Sequence, residues 1–215
     1  MTIPLIVPVL KRFDLFTRLV ASVDCDIKLY VIDNYNHNRG VSAAWNEGIT
    51  RAKQDGHKYA IISNDDVVFE KNCLYQIYKT LKETDAALVC ANQNFRIKEK
   101  IKLVEGHDMF CFGINIPIVE SKCGKFDENF YPAYFEDDDM AYRIKLAGLK
   151  SYINVRALAW HDVSATQFAD PDNPVCPPER FEQLERYYIK KWGGVPKEEK
   201  YNNPFNENNR EIWEW

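Results

Sequence analysis

Between residues 3 and 91, short apolar runs rich in β-branched residues alternate with stretches of helical periodicity. The runs cover residues 3–10, 27–32, 59–63 and 86–91. Between them, apolar residues recur at helical spacing: Phe13, Phe16, Leu19, Val20 and Val23; Val41, Ala44, Trp45, Ile49 and Ala52; Leu74, Ile77, Tyr78 and Leu81. Strand–helix alternation of this kind predicts an α/β fold with a mostly parallel central sheet flanked by helices. In such sheets ligands bind beyond the carboxyl ends of the strands. Two runs end on acidic or amide side chains, at Asp33-Asn34 and at Asn64-Asp65-Asp66, and these should face one crevice.

The 215 residues suit one domain of generous size or two small ones, and 46% hydrophobic residues can bury a substantial core. A formal charge of −4, without a long basic run, argues against an electrostatic nucleic-acid binder. The six cysteines are scattered without a CxxC pair, and read as reduced thiols rather than a zinc site or disulfide frame. No signal peptide is evident at the N-terminus and no apolar stretch is long enough to cross a bilayer, so the expected location is cytoplasmic.

Asp65 and Asp66 are followed at once by a second apolar run, Val67-Val68-Phe69. Adjacent carboxylates near a core repel each other and lose hydration. A divalent Mg²⁺ or Mn²⁺ ion offsets both costs and bridges carboxylates to phosphates. The plainer reading is a strand-ending turn, since Asn and Asp are ordinary turn residues.

Beyond residue 91 the rhythm changes. Residues 92–102 are polar and basic, carrying Arg96, Lys98, Lys100 and Lys102, and residues 109–118 are apolar again. Then aromatic residues crowd against four consecutive acids, Glu136, Asp137, Asp138 and Asp139, and a helix follows to Gly148. One or two acids would complement the helix dipole and cap its free N–H groups. Four cost more in mutual repulsion than capping returns. On a helix Asp137 and Asp139 point to opposite faces. We therefore expect Asp137 to face the crevice as general base, with its pKa raised by aromatic neighbours, and Asp139 to cap or brace the helix.

A last strand, residues 152–160, ends at His161, which is either a core histidine or a metal ligand beside carboxylates. His37 and His57 read as solvated surface, His107 as an acceptor-site candidate and Trp45 as core. Asn38-Arg39-Gly40 opens a helix whose N-terminus would attract an anion. Residues 162–178 are rich in Asp and Pro and read as a loop able to order over the site. Residues 179–192 are helical, and a tail follows.

The order of these segments resembles the family 2 nucleotide-sugar glycosyltransferases of the glycosyltransferase-A fold. The matching pieces are Val31-Ile32-Asp33-Asn34, residues 38–48, Asn64-Asp65-Asp66-Val67, residues 124–130, residues 134–143 and His161, with Lys191-Trp192-Gly193-Gly194 beyond the core. The resemblance implies a single Rossmann-like domain. Residues 1–178 would be catalytic, divided into a nucleotide and metal half (1–91) and an acceptor half (92–178), with residues 179–215 packing back upon it.

It also implies that Asp33 bonds the donor's base, commonly uracil. Asn38, Gly40 and Asn46 would line the nucleotide pocket, and Asp65 would contact ribose or metal. Asp66 and His161 would hold Mn²⁺ or Mg²⁺, and Asp137 would deprotonate the acceptor. The reaction implied is inverting transfer from a nucleoside-diphosphate sugar to a hydroxyl of a glycan, a lipid-linked sugar, a protein or a modified nucleobase. A non-catalytic nucleotide-sugar-binding module, a metal-dependent nucleotidyltransferase and a glycoside hydrolase are the alternatives. Pro8-Val9-Leu10-Lys11-Arg12 and Tyr35-Asn36 depart from the family pattern, so donor base and sugar stay open.

Overall fold

A computed structural model describes residues 2–97, 102–163, 165, 172 and 174–207. Eight strands form one mixed sheet: β1 (Ile3–Val9), β2 (Ile27–Asp33), β3 (Tyr59–Ser63), β4 (Val67–Phe69), β5 (Leu88–Gln93), β6 (Leu103–Glu105), β7 (Cys111–Asn115) and β8 (Ser151–His161). The order across the sheet is β2-β1-β3-β7-β5-β8-β4, and β6 pairs with the other end of β8. β1, β2, β3, β5 and β8 run one way; β7, β4 and β6 run against them. The expected α/β architecture holds, with antiparallel β7 inserted between the two parallel groups.

Alternation along the strands sends side chains to two cores. Ile6, Ala60, Ile62, Leu88, Cys90, Phe112 and Ile114 face one side. There they meet α2 (Val41–Gln54), α4 (Ile116–Lys122) and α5 (Glu136–Leu146). Leu5, Val7, Ile61, Val89 and Ala91 face the other, against α1 (Phe13–Ala21) and α3 (Cys73–Glu83). Burial on both faces is why these strands read as unbroken apolar runs. Gly48 lets α2 lie close on β1, since a Cβ there would sit 2.2 Å from Ile6 Cγ2.

A third cluster joins Phe130, Phe135 and Tyr142 to Leu184, Tyr188 and Trp192 of α6 (Pro178–Trp192), so the C-terminal helix packs on α5 and the loop before it.

Three local expectations are corrected. The buried face of α1 is Leu15 and Leu19, whereas Phe13 and Val20 are exposed. The apolar run 109–118 divides into β7 and α4, because Pro117 in the first turn suits a helix start and cannot donate to a ladder. The short strand β6 was not expected. Lys98 and Lys100 of the basic loop, most of 164–173 and the tail beyond 207 lie outside the described residues.

Candidate active site

A cleft of ≈ 320 Å³ opens beyond the carboxyl ends of β1, β2, β3 and β8. Its lining comes from both halves of the chain: Asn34, Asn38, Asp65 and Asp66 from the first, and Asp108, Phe110, Tyr134, Glu136, Asp137 and His161 from the second. Five of these side chains are carboxylic acids. Among the described residues that line it there is no Lys or Arg.

Strand pairing brings Asp66 to His161. In the antiparallel β4–β8 ladder Val67 lies opposite His161, and the Asp162 N–H donates to the Asp66 carbonyl at 3.0 Å. Asp66 Oδ1 therefore stands 3.1 Å from His161 Nε2, and has no well-formed hydrogen bond among the described residues. Two adjacent ligands of an octahedral ion, each at about 2.1 Å, would be about 3.0 Å apart, so this pair fits a hard divalent cation. Among the described residues no group of three or more His, Cys, Asp or Glu is placed to hold a metal. Such an ion would need its remaining ligands from substrate and water.

Contacts from elsewhere in the chain hold the His161 ring. It stacks on Phe110 at 4.9 Å, its Nδ1 lies 2.8 Å from Gln93 Nε2, and its backbone N–H donates to Asn94 Oδ1.

Asp137 lines the opposite wall, in the first turn of α5. Burial, reinforced by neighbouring Asp138, raises its pKa from 3.8 to about 6. Its Oδ1 accepts the Asp138 N–H at 2.9 Å. Glu136 beside it is buried and pushed well above the ordinary carboxyl range, first by burial and then by Asp137, and its Oε2 has no hydrogen-bond partner among the described residues. Asp139 faces away from the cleft, fully buried against Arg143, as the opposite-face reading requires. It braces the helix rather than capping it.

The remaining expected residues divide. Asn38 and Asp65 line the cleft. Gly40 shapes the wall from behind: its φ is +85°, its N–H donates to Asn38 Oδ1, and a Cβ would lie 3.0 Å from Tyr131 and 3.1 Å from the Pro132 carbonyl. Asp33 does not line the cleft. It is exposed, its carboxylate accepts from the Tyr35 N–H and Asn36, and Asn34 takes the lining position.

Asn46 is also outside the cleft. Its amide bonds both the N–H and the carbonyl of Phe126, and Glu128 as well, which ties α2 to the loop before α5. Trp45 is buried in the core as expected, yet it also contributes to the cleft lining. His107 lies outside, 3.9 Å from Asp138, with His37 and His57 away from the site. Asp108 was missed: it is a lone acid in a polar stretch, with a pKa raised by burial.

Comparison with known proteins gives the family and the fold. The model of glycosyl transferase family 2 matches residues 6–141, more than half of the chain. Among solved structures, S. aureus TarS 1–349 in complex with UDP-GlcNAc aligns with a TM-score of 0.62 at 13% identity, over 86% of this chain and 65% of that one. The same protein in complex with UDP gives 0.58 at 12%, over 89% and 71%. The catalytic domain of Drosophila beta1,4galactosyltransferase 7 in complex with xylobiose gives 0.56 at 16%, over 76% and 71%. No curated protein sequence matches the chain. The chain belongs to glycosyl transferase family 2, and is a glycosyltransferase with the glycosyltransferase-A fold.

Proposed function

We propose that this glycosyltransferase moves a sugar from a nucleoside-diphosphate sugar, with UDP as carrier, to an acceptor hydroxyl, and inverts the anomeric centre. The observation that carries this is the joint lining of one cleft by the Asp66–His161 pair and by Asp137. Residues 1–91 supply the nucleotide side through Asn34, Asn38 and Asp65, and residues 92–178 the acceptor side. The UDP and UDP-GlcNAc complexes of the structurally similar TarS support the choice of donor.

Asp66 and His161 would hold Mn²⁺ or Mg²⁺. Held by these two side chains, such an ion would supply positive charge to offset that of the departing diphosphate. It would also offset the acidic lining of the cleft, among whose described residues there is no Lys or Arg to meet a diphosphate. Asp137 accepts the proton of the acceptor hydroxyl. That oxygen bonds to the anomeric carbon as the carbon–oxygen bond to the diphosphate breaks on the opposite face. A pKa near 6 leaves Asp137 ionised at neutral pH yet basic enough for the task.

A non-catalytic binding module would have no use for a buried carboxyl tuned in this way. A nucleotidyltransferase would want a Gly-rich basic loop after the first strand, where this chain has Leu10-Lys11-Arg12. The acceptor class spans glycan, lipid-linked sugar, protein or modified nucleobase. A cytoplasmic location suits six scattered cysteines without a CxxC pair, and no described helix is long and apolar enough to cross a membrane.

The test of the mechanism is the product's anomeric configuration by ¹H NMR, from α-linked UDP-hexoses at saturating Mn²⁺. A β-configured product is expected. An α-configured product would refute the single displacement by one base.

A further inference from the structure

Lys191 of α6 is as buried as the core, with its side chain 1% exposed. Its Nζ lies 2.7 Å from Asp127 Oδ2 and 2.7 Å from Asp139 Oδ1. Arg143 completes the cluster, with Nε at 3.0 Å and Nη2 at 2.5 Å from Asp139 Oδ2, and its Nη1 donates to the Lys125 carbonyl at 2.7 Å. The next residue of α6, Trp192, donates its indole N–H to Asp139 Oδ1 at 2.9 Å. Tyr187 of the same helix donates to Asp127 Oδ2 at 2.9 Å. Among the described residues, two acids and two cations are thus buried together.

We propose that Lys191 is a positioning residue for the transfer reaction: through Asp139 it sets the rotation of α5, and so the place of Asp137 in the cleft. This rests on the assignment of Asp137 as base. The reasoning is geometric. Residues two apart on a helix lie about 200° apart around its axis, so a clamp on Asp139 fixes the azimuth of Asp137 on the far side. A side chain about 5–6 Å from the axis moves about 1 Å for a 10° turn of the helix. A misplacement of about 1 Å can cost about a hundredfold in rate.

At the start of α5 Phe135 has a φ of +70° and makes no side-chain cap, and its ring packs on Phe130 and Tyr188. Through Asp127 the same ammonium anchors the beginning of the loop whose Pro132, Ala133 and Tyr134 line the cleft. One cation therefore ties α6 to two walls of the site.

The experiment measures UDP release from UDP-N-acetylglucosamine, UDP-glucose and UDP-galactose at saturating Mn²⁺, with water as acceptor. The wild type is compared with Lys191→Met/Asp127→Asn, which keeps the buried charge balanced as Asp139 with Arg143. The double variant is expected to lose tenfold or more in kcat with KM for the donor within threefold. Trp192→Phe is the milder probe, since it keeps an aromatic ring beside Tyr142 while removing the N–H to Asp139 and the small ring that carries it. It is expected to fold and to lose about threefold to tenfold in kcat at unchanged KM.

Wild-type kcat in Trp192→Phe and in a folded double variant would overturn the positioning role. So would a rise in KM parallel to the fall in kcat, which marks general loosening of the site. A wild type that releases UDP from none of the three donors would instead overturn the proposed UDP donor, and the role of Lys191 in transfer from it.

Discussion

Replacing Asp137 by Asn should make the protein less active and more stable, and both effects follow from one buried carboxyl. Burial and Asp138 hold the Asp137 pKa at about 6 against an ordinary 3.8. For an acid whose folded pKa lies above its unfolded value, the stability cost is absent below about pH 4. It grows between about pH 4 and 6, and is full above 6. Two pKa units correspond to about 3 kcal/mol, and water on the cleft side trims this to about 1–3 kcal/mol at pH 7.

Asn carries no charge, so Asp137→Asn should recover that energy and raise Tm by about 2–4 °C for each kcal/mol. The effect should fade by pH 4. Glu136, raised partly by the Asp137 charge, shifts stability in the same direction. Activity runs the other way. A base is competent only when ionised, so with a pKa near 6 the wild-type kcat should rise about tenfold from pH 5 to pH 7 and then level off. The Asn variant should lose about 10²–10⁴ in kcat with a flat profile. The assays are UDP release at saturating donor and Mn²⁺ across pH 4.5–8, and thermal melts of both proteins over the same range. An Asn variant with wild-type kcat, or one less stable than wild type at pH 7, would refute the reasoning.

Other outcomes follow from the same contacts. Asn46→Ala strips hydrogen bonds from the buried N–H and carbonyl of Phe126, and should cost about 2–4 kcal/mol in urea unfolding. UDP affinity of the folded protein should stay within about twofold; a selective loss of UDP binding would restore Asn46 to the nucleotide pocket. Gly40→Ala forces a side chain into the left-handed region and against Tyr131 and Pro132, so a cost of about 1–3 kcal/mol and weaker UDP binding should appear together in urea melts and calorimetry.

Residues that end strands were the legible part of the site. Asp66 and His161 each follow an apolar run, and parallel strands deliver their carboxyl ends to one edge, so their meeting could be expected. The separation of Asp137 from Asp139 was legible because helical geometry alone sets two neighbours-but-one on opposite sides. Partners far along the chain were not legible. Asn46 looks like a pocket residue until Phe126, 80 positions on, takes its amide. Asp108 sits among polar residues and gives no signal until β7 carries it to the cleft. Lys191 follows Lys190 in an amphipathic helix, and only the packing of α6 shows that one is solvated and the other sealed among Asp127 and Asp139.

The central claim is that Asp66 and His161 grip a divalent cation that in turn binds the donor's phosphates. Calorimetric titration of UDP into the wild type and Asp66→Asn, each with and without Mn²⁺, tests it most directly. Mn²⁺ should strengthen UDP binding to the wild type tenfold or more, and Asp66→Asn should abolish that gain. Equal affinity with and without the ion, or a full Mn²⁺ effect in the variant, would contradict the account.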